Sequence, residues 1–171
     1  MPNKGSASDV SALAFFNRAR QYHEAAECVF KECGTLRDPI HFLYFHTVEL
    51  TLKAFLRSHG LAILGTDRKT HNLTRLYDEC RDLGLKIGPA DIFGIGNIVP
   101  LLDSANEDQG LRYYNLKSVV MADLSWTREV VEQLIQAVGL HLGVRPNSTP
   151  GPVAKLTLVW GKPVSKYHVQ P

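Results

Sequence analysis

The chain has 171 residues, 44% of them hydrophobic and 21% charged, with 19 lysines and arginines against 17 aspartates and glutamates. That length suits one domain with a real core plus an appendage, and the composition is that of an ordinary globular chain. Glu49 and Lys53 interrupt the most apolar run before it reaches the ~18–20 uncharged residues of a membrane span, so no membrane partner is expected.

Residues 1–10, MPNKGSASDV, lack an apolar signal core and are expected to form a short disordered leader. A first helix is expected from Ser11 to Glu32. Ala12, Phe15, Phe16, Ala19, Tyr22, His23, Ala26, Val29 and Phe30 recur at three- and four-residue steps, Asp9 or Ser11 serves as its cap, and Gly34 ends it. Cys28 and Cys33 are five apart, which is not a usual zinc spacing. With Cys80 they are expected to be buried free thiols of a cytoplasmic protein.

The second helix carries the chain's most informative pattern. Asp38 and Pro39 read as cap and first turn, and Gly60 reads as a left-handed stop. With Glu49 as origin at 100° per residue, Phe42 and Leu56 fall about 20° to either side. Phe45 and Leu52 fall at about −40° and −60°, and Lys53 and His46 at about +40° and +60°. Thr47, Thr51, Ala54 and Ser58 form a bland strip. Such a helix belongs in the middle of a bundle, with neighbours on several sides. Glu49 and Lys53 then have two readings. One is an exposed i,i+4 ion pair contributing about 0.3–0.5 kcal/mol. The other is a desolvated cluster at a cleft, completed by groups from other helices such as His71 or Arg112.

After a polar linker, a third helix is expected to start between Thr70 and Asn72 and to end at Gly84, with Leu73, Leu76, Tyr77, Cys80 and Leu83 on its apolar face. Pro89 to Ala105 contains Gly94, Gly96 and Pro100 and reads as one kinked helix or two short ones. Its Gly94-Ile95-Gly96 lacks the third glycine and preceding strand of a phosphate loop. A last helix is expected from Ser125, as its cap, to His141, with Trp126, Val130, Leu134, Ala137 and Val138 on one face. Residues 142–171 form a proline-rich linker and an extension that reads as a small β-hairpin, Lys155–Trp160 paired with Val164–His168. This tail carries Arg145, Lys155, Lys162 and Lys166 without an acid, a charge of +4, leaving 15 basic and 17 acidic residues before it. A solvated arm with a weak preference for phosphate-bearing or acidic partners fits that balance.

Four features in this order resemble HEPN domains: Phe45-His46-Thr47-Val48-Glu49-Leu50-Thr51-Leu52-Lys53-Ala54-Phe55-Leu56, then His71-Asn72-Leu73-Thr74-Arg75-Leu76, then Arg112-Tyr113-Tyr114, then an amphipathic final helix. The resemblance covers Ser11 to His141. It implies an all-α, up-and-down bundle of four to five helices, commonly a homodimer, in prokaryotic RNA-processing, toxin–antitoxin or defence systems. Many members are metal-independent ribonucleases, so no metal or cofactor is expected. The family's Arg and His, four to six residues apart near the last helix, are not matched here. Lys117 stands five residues after Arg112, and Arg128 has no histidine in range. Arg18 and His23 have a similar spacing but lie about 140° apart on a helix, with His23 in the apolar stripe.

Three functions follow as expectations. The first is a module that binds RNA, a nucleotide or a protein partner through His46, Glu49, Lys53, His71 and Arg112, with Tyr113 as a stacking platform. The second is a divergent ribonuclease with His71 or His46 as general base and Arg112 as phosphate clamp. The third is a structural dimeric adaptor in which Glu49 and Lys53 only order the bundle.

Overall fold

The computed structural model describes residues 11–61, 71–88, 91, 94–106, 111 and 120–144. The secondary structure of these residues is helical: α1 (Ala12–Cys33), α2 (Arg37–Ser58), α3 (Leu73–Asp82), α4 (Ile95–Ala105) and α5 (Leu124–His141) pack as a bundle. No described helix is long and apolar enough to cross a membrane. The leader, the expected hairpin, Arg112 and Tyr113 lie outside the described residues.

The apolar periodicity places α2 at the centre, where it touches each of the other four helices. Its core residues include Ile40, Tyr44, Phe45, Val48, Leu52, Phe55 and Leu56. The strip expected to be bland is also buried at Thr47, Thr51 and Ala54. The two threonines are accommodated because each hydroxyl donates to the carbonyl four residues back, Thr47 to Leu43 at 2.8 Å and Thr51 to Thr47 at 2.7 Å.

Pairings along the helices set their directions. Glu27 of α1 meets Tyr44 of α2 and Arg128 of α5, while Phe16 near the start of α1 lies against Gly139 near the end of α5. At one end of the bundle Ser58 of α2 meets His141 of α5. So α1 runs antiparallel to α5, and α2 and α5 finish at the same end. Gly139 permits the close approach, since a Cβ there would sit 3.0 Å from Phe16 Cζ. His23 lies in this seam, 3.3 Å from Glu132 and 3.6 Å from Glu27, as its place in the apolar stripe suggested.

Several helix ends differ from expectation. Ser11 caps α1 by accepting from the Ala14 amide at 3.1 Å, and Asn72 caps α3 by accepting from the Arg75 amide at 2.7 Å. However, α2 begins at Arg37, upstream of Asp38. Pro39 is then in the first turn, where a missing N–H removes no intrahelical bond, so the helix extends past it. Asp123 rather than Ser125 caps α5, its carboxylate accepting from Ser125 and Trp126 at 2.9 and 3.1 Å. A charged acceptor serves two amides and complements the helix dipole, which outweighs a hydroxyl two residues on. Gly60 closes α2 with φ +79°, donating to the Arg57 carbonyl while Leu61 donates to Leu56. In the described part of the Pro89–Ala105 stretch, α4 continues through Pro100, whose side is exposed. Cys28 and Cys33 are exposed, contrary to the expected burial, because they fall outside the stripe that faces the core. Cys80 is buried, its Sγ 3.5 Å from the Leu52 carbonyl, and burial pushes its thiol pKa up.

His41 is fully buried on α2, and neither ring nitrogen has a hydrogen-bond partner among the described residues. Burial, then the nearby Arg37 charge, lowers its pKa from 6.5 to about 4. The folded state therefore keeps His41 neutral where the unfolded chain would protonate it. Its contribution to stability falls as pH drops from about 6.5 to about 4, by a total on the order of 3 kcal/mol. His41→Leu should flatten this part of the pH–stability curve, as measured by urea unfolding at a series of pH values.

Candidate functional site

The site is built from the middle of α2 and the residue just before the α3 cap. On α2, the i−3, i and i+4 positions of one face bring His46, Glu49 and Lys53 together. Glu49 is 4% exposed and Lys53 7%, so the pair is the desolvated cluster and not an exposed surface bridge. Glu49 Oε1 accepts from Lys53 Nζ at 2.6 Å and lies 2.7 Å from His71 Nδ1. Glu49 Oε2 lies 3.3 Å from His46 Nδ1. Both oxygens of the buried carboxylate are therefore engaged by nitrogen donors, as a buried charge requires.

Burial alone would raise the Glu49 pKa. The His46 hydrogen bond, the Lys53 charge and the bonds from Lys53 and His71 outweigh it, holding the value at about 2 instead of 4.5. Glu49 stays ionised, and its contribution to stability is present above about pH 4.5 and lost as pH falls towards 2. An ionised carboxylate only accepts, so Nδ1 of His71 carries the proton. Nε2 is then the nitrogen left for solvent or a ligand.

The two histidines have different surroundings. His46 is packed among aromatic rings, with centroids of Phe42, Tyr22 and Phe45 at 4.5, 5.1 and 5.6 Å. His71 has a side chain 58% exposed and is the group through which the buried carboxylate reaches the surface. An imidazole held by a carboxylate on one nitrogen and open on the other can accept or return a proton, or donate to an anionic oxygen once protonated. The structure thus brings together His46, Glu49, Lys53 and His71, four of the six residues singled out by sequence. Arg112 and Tyr113 lie outside the described residues.

Sequence reasoning missed Asp103 on α4, which holds the start of α3. Its carboxylate accepts from the Leu73 amide at 2.8 Å and from the Thr74 amide and hydroxyl, both at 2.7 Å. Together with the Asn72 cap this anchors the turn that carries His71. Asp103 acts across about thirty residues of chain, and no local motif announces such a partner. Tyr22 packs against His46 from α1, a contact that its place in the apolar stripe does not announce.

Breaking the buried pair on one side should cost about 3–5 kcal/mol, because it strands a charge, whereas replacing both partners by apolar residues should be far milder. Urea unfolding is expected to show a large loss for Glu49→Leu and recovery of most of it in Glu49→Leu/Lys53→Met. Asp103→Ala should cost about 1–2 kcal/mol, the size of a lost helix cap, and should accelerate hydrogen exchange at the Leu73 and Thr74 amides. Comparisons with protein-family models, with curated proteins and with solved structures each found no match to this chain.

Proposed function

We propose that the chain is a HEPN-like module that binds RNA in a prokaryotic defence or toxin–antitoxin setting, as a homodimer and without the family's usual catalytic motif. The observation that carries this reading is the Glu49–His71 contact. A buried, ionised carboxylate holds an exposed imidazole by Nδ1 at 2.7 Å and leaves Nε2 to meet a phosphate oxygen or a base edge. His46 and Lys53 fix the carboxylate from behind, and Arg112 and Tyr113 would add a phosphate clamp and a stacking surface. The basic tail, +4 from Leu142 onward, is consistent with the same ligand.

A second reading, a divergent metal-independent endoribonuclease, is favoured by the same geometry, because a carboxylate-oriented imidazole is suited to take the proton of a 2′-hydroxyl. In that case His71 is the base, with His46 as the less accessible candidate, and Arg112 stabilises charge on the phosphorane.

Filter retention of total RNA by the full chain tests the RNA-binding reading. RNA binding should weaken steeply between about 50 and 200 mM salt, as phosphate contacts require. His71→Ala should weaken retention several-fold while leaving the circular dichroism spectrum unchanged. Retention that is absent, or indifferent to salt and to His71→Ala, rejects the RNA reading in favour of a nucleotide, a protein partner or the structural adaptor. For the nuclease, incubation of RNA in EDTA with the wild type, His71→Ala and Arg112→Ala should show cleavage by the wild type alone. Intact RNA in all three sinks the enzyme reading, and cleavage by both variants moves the chemistry elsewhere.

A further inference from the structure

At the end of the bundle where α2 and α5 finish, well along α2 from Glu49, a second polar group has no part in the reading above. We propose that His59 and His141 form a two-histidine site for a divalent transition-metal ion of the zinc, nickel and copper class. His59 is the C-cap of α2 and His141 the last residue of α5, and both are exposed.

The hydrogen bonds fix which nitrogens are available. His59 Nδ1 lies 3.0 Å from the Phe55 carbonyl, which only accepts, so Nδ1 carries the proton. Ser58 donates its single hydroxyl proton to the same carbonyl at 2.6 Å. Its oxygen must therefore accept from His141 Nε2, 2.9 Å away. Each ring is held by an inward N–H, which leaves a lone pair on His59 Nε2 and on His141 Nδ1. An imidazole that donates one N–H to a carbonyl or hydroxyl and offers the other nitrogen is the arrangement found around metal-bound histidines.

The rings lie side by side, with centroids 5.1 Å apart and planes 11° from parallel, and Phe55 packs on both at 4.6 Å. Two imidazoles bound to one ion at metal–nitrogen distances of about 2.0–2.1 Å place their ring centres about 5 Å apart, which matches the spacing here, and binding requires the near-parallel rings to tilt toward a common ion. The C-terminal carbonyls of two helices add partial negative charge. Arg57, the cation on the adjoining turn, donates to the Leu61 carbonyl at 3.2 Å. Among the described residues no set of three or more His, Cys, Asp or Glu is placed to hold a metal ion, so water would complete the coordination. Imidazole donors without a carboxylate favour the zinc, nickel and copper class over magnesium or calcium.

The test is titration of the metal-free full chain with zinc chloride, followed by calorimetry and by thermal unfolding, with magnesium chloride as control. One zinc ion should bind per chain and raise Tm, because an ion bridging two helix ends binds only the folded state. His59→Ala and His141→Ala should each abolish the saturable uptake and the Tm rise. Ser58→Ala should weaken zinc binding about tenfold, as loss of a partner that orients a ligand does. These substitutions are at exposed positions, and metal-free Tm values within a few degrees of wild type would confirm intact folds. No saturable uptake, an equal response to magnesium, or a zinc response that survives His59→Ala/His141→Ala overturns the proposal. None of these readouts involves RNA, so the outcome is separate from that of the RNA-binding test.

Discussion

A carboxylate on the most apolar arc of a central helix is costly unless every oxygen is matched, and this constraint shapes the middle of the molecule. Glu49 meets it with Lys53 and His46 from its own helix and His71 from the next segment. The first two come with the helix, since residues three and four apart share a face. The third requires the start of α3 to be brought to one position on α2. The energetics of burial and the placement of a surface histidine are therefore the same problem. Removing water from the cluster is what makes misplacing His71 expensive.

Asp103 solves that placement from the opposite side. By accepting from the first amides of α3 and from Thr74, it joins α4 to the same turn that presents His71. The cluster is thus held by α2 through its carboxylate and by α4 through a helix cap. Any pull on His71 by a ligand would be resisted by both. A surface imidazole with this support loses little rotamer freedom on binding, which is the advantage of preorganisation.

The other polar groups between helices follow a related pattern. Glu27 is shared by Tyr44 and Arg128, tying α1 to α2 and α5. Burial and the hydrogen bond to Glu27 push the Tyr44 hydroxyl pKa up, so Tyr44 remains a donor. Among the described residues His41 departs from this pattern, a buried imidazole with neither ring nitrogen hydrogen-bonded, whose desolvation cost grows when acid would protonate it. At the far end of α2, Ser58, His59 and His141 satisfy one another and the Phe55 carbonyl, so neither imidazole there depends on the Glu49 cluster for its orientation.

Helical periodicity alone was enough to locate α1, α2, α3 and α5 to within a few residues, because burying an apolar stripe at 3.6 residues per turn leaves its mark on every turn. It also placed His46, Glu49 and Lys53 on one face, since that relation is set by spacing along a single helix. Caps were less legible. Ser11 is one of the two caps expected for α1, and α3 starts just after the expected span with Asn72 as its cap, but Asp123 displaces Ser125 and α2 starts ahead of Asp38, since capping depends on which acceptor reaches free amides. Whether Glu49 and Lys53 were exposed or buried could not be read locally, because the answer rests on what packs over α2. The same holds for the exposure of Cys28 and Cys33, for the hold of Asp103 on α3, and for the meeting of His59 with His141. Short-range periodicity carries the long helices and their main apolar stripes, whereas the remaining buried positions of α2, Thr47, Thr51 and Ala54 among them, depend on its neighbours. Only the tertiary structure decided which polar groups meet, because contacts such as Glu49–His71 and Ser58–His141 join segments 22 and 83 residues apart.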